Sequence, residues 1–437
     1  MEDYAERIVE RAIDLGCQDA VADVGVNRSY QIRFAQNQVA ISNRWRDTSA
    51  SVFIVHGKRV VASDIKDLTK IDDAVERLVK VAKVSQANPD YAGIAKGPFK
   101  YGRLSVDKRI VDLSDGSDYV EAAVNGALQE GAKECAGSFW KYDEEHFLRT
   151  SNGVKGYDRR ASLYMSIRAL TSLESSGHGV ACATRLGQFE PWKAGHKAGR
   201  IAKLAKDPVG GQAGVYDIVF DPLVFGSLID QVGGRAGAWA VLAGLSPFAK
   251  KIGKRVAAPS VTIVDDASAD SIGRKRFDAE GVPTKRTAIV RNGVLKTYLH
   301  NTSTAKKFKT RTTGNAGLIA PDANVLFCKP GDWTRDEIFS ECKDGLWLTN
   351  TWYTRYQSYV TGDFSTIPRD GIFRIKKGEV VGAWKDIRLT DNLINVWKSV
   401  AGLSKNVDQV MWWGEVSVPT FAPYALARKV RITRSAE

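Results

Sequence analysis

One short run of the chain gathers side chains that could do chemistry. Gly226 to Arg235 reads Gly-Ser-Leu-Ile-Asp-Gln-Val-Gly-Gly-Arg, with a carboxylate at Asp230, an amide at Gln231 and a cation at Arg235. A hydrolytic zinc needs neutral imidazole or thiolate donors and a general base beside its bound water. A carboxylate, an amide and a guanidinium do not supply that set. We therefore expect no catalytic residue and no bound metal or cofactor in this chain.

The remaining histidines and cysteines offer no second metal site by their spacing. The histidines are His56, His146, His178, His196 and His300, and the cysteines are Cys17, Cys135, Cys182, Cys328 and Cys342. No H-x-x-x-H or C-x-x-C pair occurs, although a site joining His178 and His196 through space stays open. The chain also lacks a P-loop, a dinucleotide fingerprint and a G-x-S-x-G elbow, so nucleotide binding and serine hydrolysis are not favoured.

The composition indicates a soluble globular protein with an excess of cations. Of the 437 residues, 43% are hydrophobic and 26% are charged, and the formal net charge is +13. That charge favours a polyanion partner such as nucleic acid or an acidic subunit. The stripe Lys193, Lys197, Arg200 and Lys203 is more simply the solvated face of a packed helix. Local basic clusters lie at Lys250–Arg255, Arg274–Arg276 and Lys306–Arg311.

The N-terminus begins an acidic amphipathic pattern, without the basic and then apolar layout of a signal peptide. No run of about 18 or more apolar residues occurs anywhere, which argues against a transmembrane helix. We therefore expect a cytoplasmic protein with no membrane partner.

Two stretches rich in Gly and Pro, Asn88–Tyr101 and Asp207–Gly211, divide the chain into three segments. We predict an N-terminal α/β domain at 1–90, a middle α+β domain at 107–207 and a β-rich C-terminal domain at 213–437. The fold class is therefore α+β, with mixed N-terminal segments followed by a large, mostly antiparallel β-rich domain.

The local patterns place the elements within these segments. Helical spacing of apolar residues predicts helices at Thr69–Val84, Ser117–Gly131 and Pro191–Lys206. Asn292-Gly293 and Lys377-Gly378 each separate two strand-like runs, which predicts β-hairpins.

Several blocks, in order, resemble the TldD/PmbA (TldE) family of metalloproteases. Asp278–Thr287 matches a D-x-E-G-x-P-T-x-R-T run, and Gly226–Ile229 matches a Gly-x-Leu-Leu-like run that precedes the metal site of the family. Thr313, Gly314 and Asn315 form a T-G-N block. Val360–Ser365, with Thr361, Gly362, Asp363 and Phe364, matches V-T-G-D-F-S. The resemblance extends over nearly the whole chain.

The resemblance implies a vestigial protease site. Catalytic TldD members carry His-Glu-x-x-x-His where this chain has Asp230, Gln231 and Arg235, and they add a Cys ligand near the final strands. The corresponding region here, Met411–Pro419, contains no Cys. The chain thus resembles the non-catalytic PmbA (TldE) subunit. We expect Asp230 and Arg235 to form an ion pair that replaces the charge of the metal.

The TldE resemblance further implies a heterodimer with a TldD-like subunit, which would carry the zinc and cut unfolded peptides inside a chamber. Thr313–Asn315 and Thr361–Phe364 are then candidate peptide contacts, and the alternating run Leu346–Val360 is a candidate for strand addition. A homodimer in the absence of the partner stays possible. Two alternatives stay open: a nucleic-acid-associated regulator of the gyrase-modulator type, and a stand-alone metallopeptidase with an unrecognised site.

Overall fold

A computed structural model describes residues 1–103 and 105–434. The N-terminal half holds five helices and six strands. The helices are α1 (Glu2–Asp14), α2 (Ile71–Val84), α3 (Lys108–Val111), α4 (Ser117–Gln129) and α5 (Pro191–Leu204). The strands are β1 (Asp19–Ala35), β2 (Gln38–His56), β3 (Arg59–Ile65), β4 (Glu134–Thr150), β5 (Lys155–Ser172) and β6 (Ser175–Ala183).

These six strands form one antiparallel sheet in the order β3-β2-β1-β4-β5-β6. Residues alternate between the two faces of a strand. In β1 the even-numbered Val24 and Ile32 pack beneath the helices, whereas Val21 contacts the C-terminal part of the chain at Phe277. The sheet takes strands from both segments 1–90 and 107–207, and their division into separate domains stays a prediction.

One edge of this sheet is open over part of its length. β3 pairs with β2 only from Ala50 to His56, so Gln38–Ser49 of β2 pairs with β1 alone among the residues the structure describes. Val39, Ile41 and Trp45 on this stretch are 48%, 45% and 39% exposed. A row of backbone N–H and C=O groups is therefore available to another chain.

Up to residue 434, where the description ends, the C-terminal half contains five helices and twelve strands. The helices are α6 (Pro222–Ala236), α7 (Ala238–Leu242), α8 (Thr302–Lys307), α9 (Arg335–Glu341) and α10 (Leu393–Lys398). The strands are β7 (Val209–Gly210), β8 (Gly214–Phe220), β9 (Ile263–Asp265), β10 (Thr287–Arg291), β11 (Val294–Leu295), β12 (Leu326–Cys328), β13 (Asp344–Ser358), β14 (Asp363–Lys376), β15 (Glu379–Lys385), β16 (Ile387–Asn392), β17 (Val400–Trp412) and β18 (Val416–Arg434).

These strands form a second, mostly antiparallel sheet whose long members are β13, β14, β17 and β18. Its largest core cluster includes Phe220, Phe225 and Trp397. The α+β fold class with a β-rich C-terminal part is therefore confirmed. The end of the predicted segment 213–437 lies outside the described residues, because the description ends at residue 434.

Both predicted hairpins are confirmed. Asn292 and Gly293 have φ of 50° and 76°, and Lys377 and Gly378 have φ of 50° and 85°. Two successive positive φ values give the turn twist that suits a two-residue hairpin, and a glycine at the second position adopts it without a Cβ clash.

The predicted helix at Pro191–Lys206 is confirmed as α5, but its basic stripe is not simply solvated. Because Gly195 and Gly199 have no side chain, α5 packs closely against α4. A Cβ on Gly195 would lie 1.7 Å from the carbonyl oxygen of Ala123. On another side, Lys197 Nζ donates to Asp221 Oδ1 at 2.7 Å. Burial opposes the charge of Lys197, but Asp221 together with Tyr424 and Asp408 outweighs that effect and raises the lysine pKa. That expectation of a solvated face is wrong for Lys197.

Among the described residues, no helix has both the length and the apolar character needed to cross a bilayer.

Candidate functional site

The segment that carries the vestigial residues folds as α6, a helix with buried residues along most of its length. Pro222 occupies its first turn, and the side chain of Asp221 accepts from the Leu223 N–H at 3.3 Å. This cap satisfies an N–H group that a helix end otherwise leaves free. Glycine brings the backbone close to β17, since a Cβ on Gly226 would lie 2.5 Å from Val410. The sequence thus fixes α6 firmly beneath the β17–β18 hairpin.

Asp230 on α6 contacts the region in which catalytic relatives would supply the third ligand. Its Oδ1 accepts from the Val418 N–H at 3.0 Å, at the start of β18. The fold therefore brings together Asp230 and the segment Met411–Pro419, which lie far apart in sequence. Here a hydrogen bond joins them.

The environment of Asp230 favours its protonated form. Burial raises the pKa of Asp230 to about 7, and the hydrogen bond from Val418 only partly offsets that effect. The nearby carboxylates of Asp322 and Glu415 raise it further, because like charges disfavour a second ionisation. At neutral pH a large share of Asp230 is a neutral acid, which is a poor ligand for a cation.

Arg235 does not pair with Asp230 in the part of the chain that the structure describes, so the expected ion pair is wrong. Its Nη1 donates to the Leu245 carbonyl at 3.2 Å. Its guanidinium carbon lies 5.2 Å from the ring centre of Tyr356 and 4.8 Å from that of Tyr359. The cation is thus held by aromatic faces, a geometry that a planar guanidinium suits.

The residues of this site do not fit a zinc ion. A neutral carboxylic acid, an amide and a guanidinium stand where imidazole or thiolate donors are required. Across residues 1–103 and 105–434, no group of three or more His, Cys, Asp or Glu side chains is arranged to hold a metal. The donor chemistry itself argues against a hydrolytic metal at α6.

The tip of the β17–β18 hairpin is fixed by a buried glutamate. The Glu415 carboxylate accepts from the backbone N–H groups of Tyr353 and Thr354 and from the Thr354 hydroxyl. Trp352 packs against the rings of Trp412 and Trp413, at 5.4 and 5.7 Å between centres. The tip is therefore anchored on β13 although Trp413 is 80% exposed.

Between this tip and the N-terminal sheet lies a groove of about 1040 Å³, which we call the tryptophan groove. The sheet contributes Trp140, Tyr142 and Tyr164, and the hairpin contributes Trp412 and Trp413. Trp140 stacks on Tyr142 with ring planes 6° apart. Ser417 of the hairpin also lines the groove, one residue before the partner of Asp230. The groove therefore borders the vestigial site.

A buried polar relay ends at Ser166 on the groove wall. Ser166 Oγ lies 2.8 Å from His178 Nε2, and His178 Nδ1 lies 3.2 Å from the amide nitrogen of Asn350. That nitrogen also donates to Asp370 at 2.7 Å. Burial opposes ionisation of Asp370, but Arg168 and the neighbouring groups, with Asn350 and Ser176 donating hydrogen bonds, together outweigh it and keep the pKa of Asp370 below its usual value. Sequence reasoning missed this relay, because its members lie on four strands.

The relay is not a nucleophilic triad. The Asn350 oxygen accepts from the Thr351 N–H at 2.8 Å, so the amide nitrogen must face both Asp370 and His178. His178 Nδ1 is then the acceptor, and Nε2 carries the proton that Ser166 accepts. A general base needs the opposite arrangement, with a free Nε2 lone pair towards the serine. Burial lowers the pKa of His178 to about 4, so the ring stays neutral at pH 7.

His178 and His196 do not share a site. His196 stacks on Trp192 and lies 3.2 Å from a Glu130 oxygen, whereas His178 contacts Ser166 and Asn350.

The T-G-N block forms a buried turn. The Thr313 hydroxyl accepts from the His300 N–H at 2.7 Å, and the Asn315 amide donates to Asp265 at 2.7 Å. Gly314, with φ of 73°, lets the backbone turn between them. These hydrogen bonds give the block a structural role in holding the turn. Its contact with a peptide stays a prediction.

The second block is also a turn. The Thr361 hydroxyl donates to Asp363, Asp363 accepts from the Asn392 amide at 2.9 Å, and Gly362 has φ of 88°. Phe364 is 1% exposed within the core. Peptide contact by Thr361–Phe364 likewise stays a prediction.

The two acidic residues of the D-x-E-G-x-P-T run, Asp278 and Glu280, accept hydrogen bonds from the backbone of nearby loops. Asp278 accepts from three backbone N–H groups, those of Glu280, Val282 and Ala316. Glu280 accepts from the Ala95 and Thr302 N–H groups. Burial raises the pKa of Asp278 to about 6 and that of Glu280 to about 7. Asp278 thus holds the loops around it, and Glu280 joins the linker after α2 to the start of α8.

Comparison with known proteins assigns this fold to a class, the metallopeptidases of the PmbA/TldA type. The PmbA/TldA metallopeptidase C-terminal domain matches residues 213–434, and the PmbA/TldA metallopeptidase domain 1 matches residues 21–82. A metalloprotease of Methanothermobacter thermautotrophicus is 32% identical over 70% of this chain and 72% of its own length. The chain belongs to the PmbA/TldD family of metallopeptidases.

Other relatives match nearly end to end. A metalloprotease of Methanocaldococcus jannaschii is 26% identical, with 92% of each chain covered. TldE from Thermococcus kodakarensis has the same fold, with a TM-score of 0.85 at 16% identity. The match covers 98% of this chain and 100% of the TldE chain. A structure from Thermotoga maritima, described as a candidate modulator of a DNA gyrase, gives a TM-score of 0.86 at 20% identity, covering 99% and 100% of the two chains.

Proposed function

We propose that this chain is the non-catalytic subunit of a heterodimeric zinc metalloprotease of the TldD/TldE type, acting on unfolded peptides in an enclosed chamber. The observation that carries the proposal is the donor set on α6. Asp230 is hydrogen-bonded to Val418, and Arg235 lies against two tyrosines. A largely protonated acid already bonded to the backbone and a guanidinium cation do not together provide the donors that hold a hydrolytic cation.

Zinc and peptide cleavage then belong to a TldD-like partner that bears His-Glu-x-x-x-His. The likeness to TldE of Thermococcus kodakarensis supports this assignment through the fold. An enclosed chamber selects substrates by size, since a folded protein cannot enter. Recognition inside it is best served by main-chain hydrogen bonds, which are indifferent to sequence.

Part of strand β13 fits such a role. Its first residues, Gly345–Leu348, lie between β8 and β14, whereas Asn350–Ser358 pairs only with β14 among the described residues. Glu415 already occupies the N–H groups of Tyr353 and Thr354. Strand addition along β13 would therefore be confined to the residues beyond Thr354.

The decisive experiment is co-expression with a TldD-like chain that carries His-Glu-x-x-x-His. We expect the two chains to co-purify, and the complex to cleave an unfolded substrate such as reduced, alkylated casein with chelator sensitivity. This chain alone should show no cleavage. Chelator-sensitive cleavage by the isolated chain would make it a stand-alone peptidase and would overturn the proposal.

A nucleic-acid role is the second candidate, and the net charge of +13 favours it. Several of the basic clusters are, however, engaged within the protein. Arg276 donates to the Tyr157 and Gly102 carbonyls, Lys275 donates to Asn324, and Lys307 pairs with Asp90. DNA affinity that falls steeply as salt rises would favour this candidate over the first. The cytoplasmic location stays a prediction under either.

A further inference from the structure

The tryptophan groove has a lining that is aromatic on two sides and nearly free of charge. Trp140 and Tyr142 lie on the sheet wall, and Trp412 and Trp413 lie on the hairpin wall. Among the described residues that line it, Arg33 is the one cation and no carboxylate occurs. Its volume, about 1040 Å³, is at the upper end for ligand sites in proteins.

The relay gives this groove a positioned hydrogen-bond donor. His178 is 5% exposed and donates through Nε2 to Ser166 Oγ, so it occupies an acceptor position of that hydroxyl. The Ser166 proton is then left to donate towards the groove or to the neighbouring phenol of Tyr164. A donor of this kind seeks a carbonyl oxygen. The T-shaped contact of His178 with Trp412, at 4.8 Å between ring centres, links the relay to the opposite wall.

We propose that the tryptophan groove binds an extended peptide segment, with Ser166 donating to a main-chain carbonyl and the tryptophans holding an aromatic or large apolar side chain. The inference rests on the proposed function, because it identifies where this subunit contacts the peptide. It also sets a preference, since a groove lined by indole rings favours segments rich in aromatic residues.

A peptide fits this lining better than a single-stranded nucleic acid does. Nucleic-acid channels combine stacking rings with several cations that follow the phosphates. The groove offers rings but only Arg33 as a cation. Its remaining polar groups are hydroxyl and amide side chains, such as Ser138, Ser166 and Gln31, which suit neutral main-chain groups.

The test uses the full chain and a fluorescein-labelled decapeptide of glycine and alanine with one central phenylalanine, followed by fluorescence anisotropy. We expect saturable binding, and about tenfold weaker binding when serine replaces the phenylalanine. Equal affinity for both peptides, or no binding at all, would overturn the proposal.

The serine role has a matched control on the neighbouring strand. Ser138 lies directly opposite Ser166 in the β4–β5 register and lines the same groove, and it has no histidine partner in the described chain. Ser166→Ala should weaken binding about fivefold, and Ser138→Ala should weaken it by a smaller factor, because no histidine among the described residues orients the Ser138 hydroxyl. Equal losses for the two serine variants would refute a positioned donor.

The role of the tryptophan rings in peptide binding is tested at Trp413, because its exposed side chain can be removed without disrupting the fold. Trp413→Ala should weaken peptide binding about tenfold, and Leu173→Ala, at a side chain 99% exposed in the β5–β6 turn, should not change it. If a labelled thymidine decanucleotide binds instead, and Trp413→Ala abolishes that binding, the groove is a nucleic-acid site and the proposal fails.

These results separate the two proposals. If the complex with a TldD-like chain forms and cleaves but the decapeptide does not bind here, only the groove assignment fails. If the decapeptide binds but no partner is captured, the subunit assignment fails and the groove remains a peptide site.

Discussion

The two sides of the β17–β18 hairpin have opposite characters. On one side, α6 is packed against the strands, and two of its polar side chains have internal partners: Asp230 bonds to Val418, and Arg235 bonds to a carbonyl and lies against two tyrosines. On the other side the same hairpin forms one wall of an open groove with exposed Trp413. The polar side chains on the α6 side are thus held by internal contacts, while the surface on the groove side stays available for binding.

The difference follows from where the charges lie. Around Asp230, burial and two neighbouring carboxylates disfavour a further negative charge. The groove lining has one cation and otherwise neutral polar groups. A protein can keep a buried acid only by protonating it or pairing it, whereas neutral hydroxyl groups can face a ligand at little cost.

The largest effect should come from restoring the zinc donors on α6. The triple variant Asp230→His, Gln231→Glu, Arg235→His removes the hydrogen bond to Val418 and the contact with two tyrosine rings. We expect the free energy of unfolding to fall by about 3 kcal/mol in urea titrations. We also expect no zinc-dependent cleavage, because Met411–Pro419 provides no cysteine. If the triple variant binds one zinc per chain and cleaves substrate, the α6 side is also a functional surface and the comparison fails. Gln231→Glu alone is the control.

The pH response of Asp230 gives the second effect. The native state holds this proton more tightly than the unfolded chain, in which aspartate titrates near about 3.9. The contribution of Asp230 to the free energy of unfolding is therefore fully present below the unfolded-state pKa. It is lost as the pH rises through the folded-state pKa of about 7. Asp230→Asn should gain about 2 kcal/mol relative to the natural protein between pH 5 and pH 8. A constant difference across that range would mean that Asp230 is ionised and solvated.

The contact of Arg235 with the tyrosines gives a smaller effect. Arg235→Lys keeps the charge but loses the planar group that lies over Tyr356 and Tyr359. We expect a loss of about 1 kcal/mol in the free energy of unfolding. A double-mutant cycle with Tyr359→Leu measures the coupling, and additive losses would show that the rings do not hold the cation.

The smallest effect on stability belongs to the groove side. Trp413 is 80% exposed, so Trp413→Ala should change the free energy of unfolding by less than about 0.5 kcal/mol. Combined with a large loss of peptide binding, this result would mark the residue as functional. A large loss of stability would instead make the hairpin tip a structural element like α6.

Local patterns in the sequence identify the elements well. The turns at Asn292-Gly293 and Lys377-Gly378 depend on residues that tolerate positive φ, and the helix from Pro191 depends on spacing and composition within one segment. The residue types at positions 230, 231 and 235 already predict that α6 carries no zinc site of the His-Glu-x-x-x-His kind. Such features need no knowledge of distant contacts.

Features that depend on contacts between residues far apart in the chain cannot be predicted from local sequence patterns. The groove joins residues near Trp140 to residues near Trp413, and the orientation of His178 depends on the contact between Asn350 and the Thr351 N–H. The expected ion pair failed for a related reason. Asp230 and Arg235 share a helix, but tertiary partners on other elements satisfy each of them.

The open edge of β2 has a consequence for behaviour at high concentration. An unpaired edge can template the joining of identical molecules into fibrils. If two copies aligned antiparallel around Trp45, Arg44 of each would lie opposite Arg46 of the other, and the like charges would repel. Salt shortens the reach of that repulsion to about 10 Å at 0.1 M. We therefore expect edge-to-edge association of this protein to increase as the ionic strength rises.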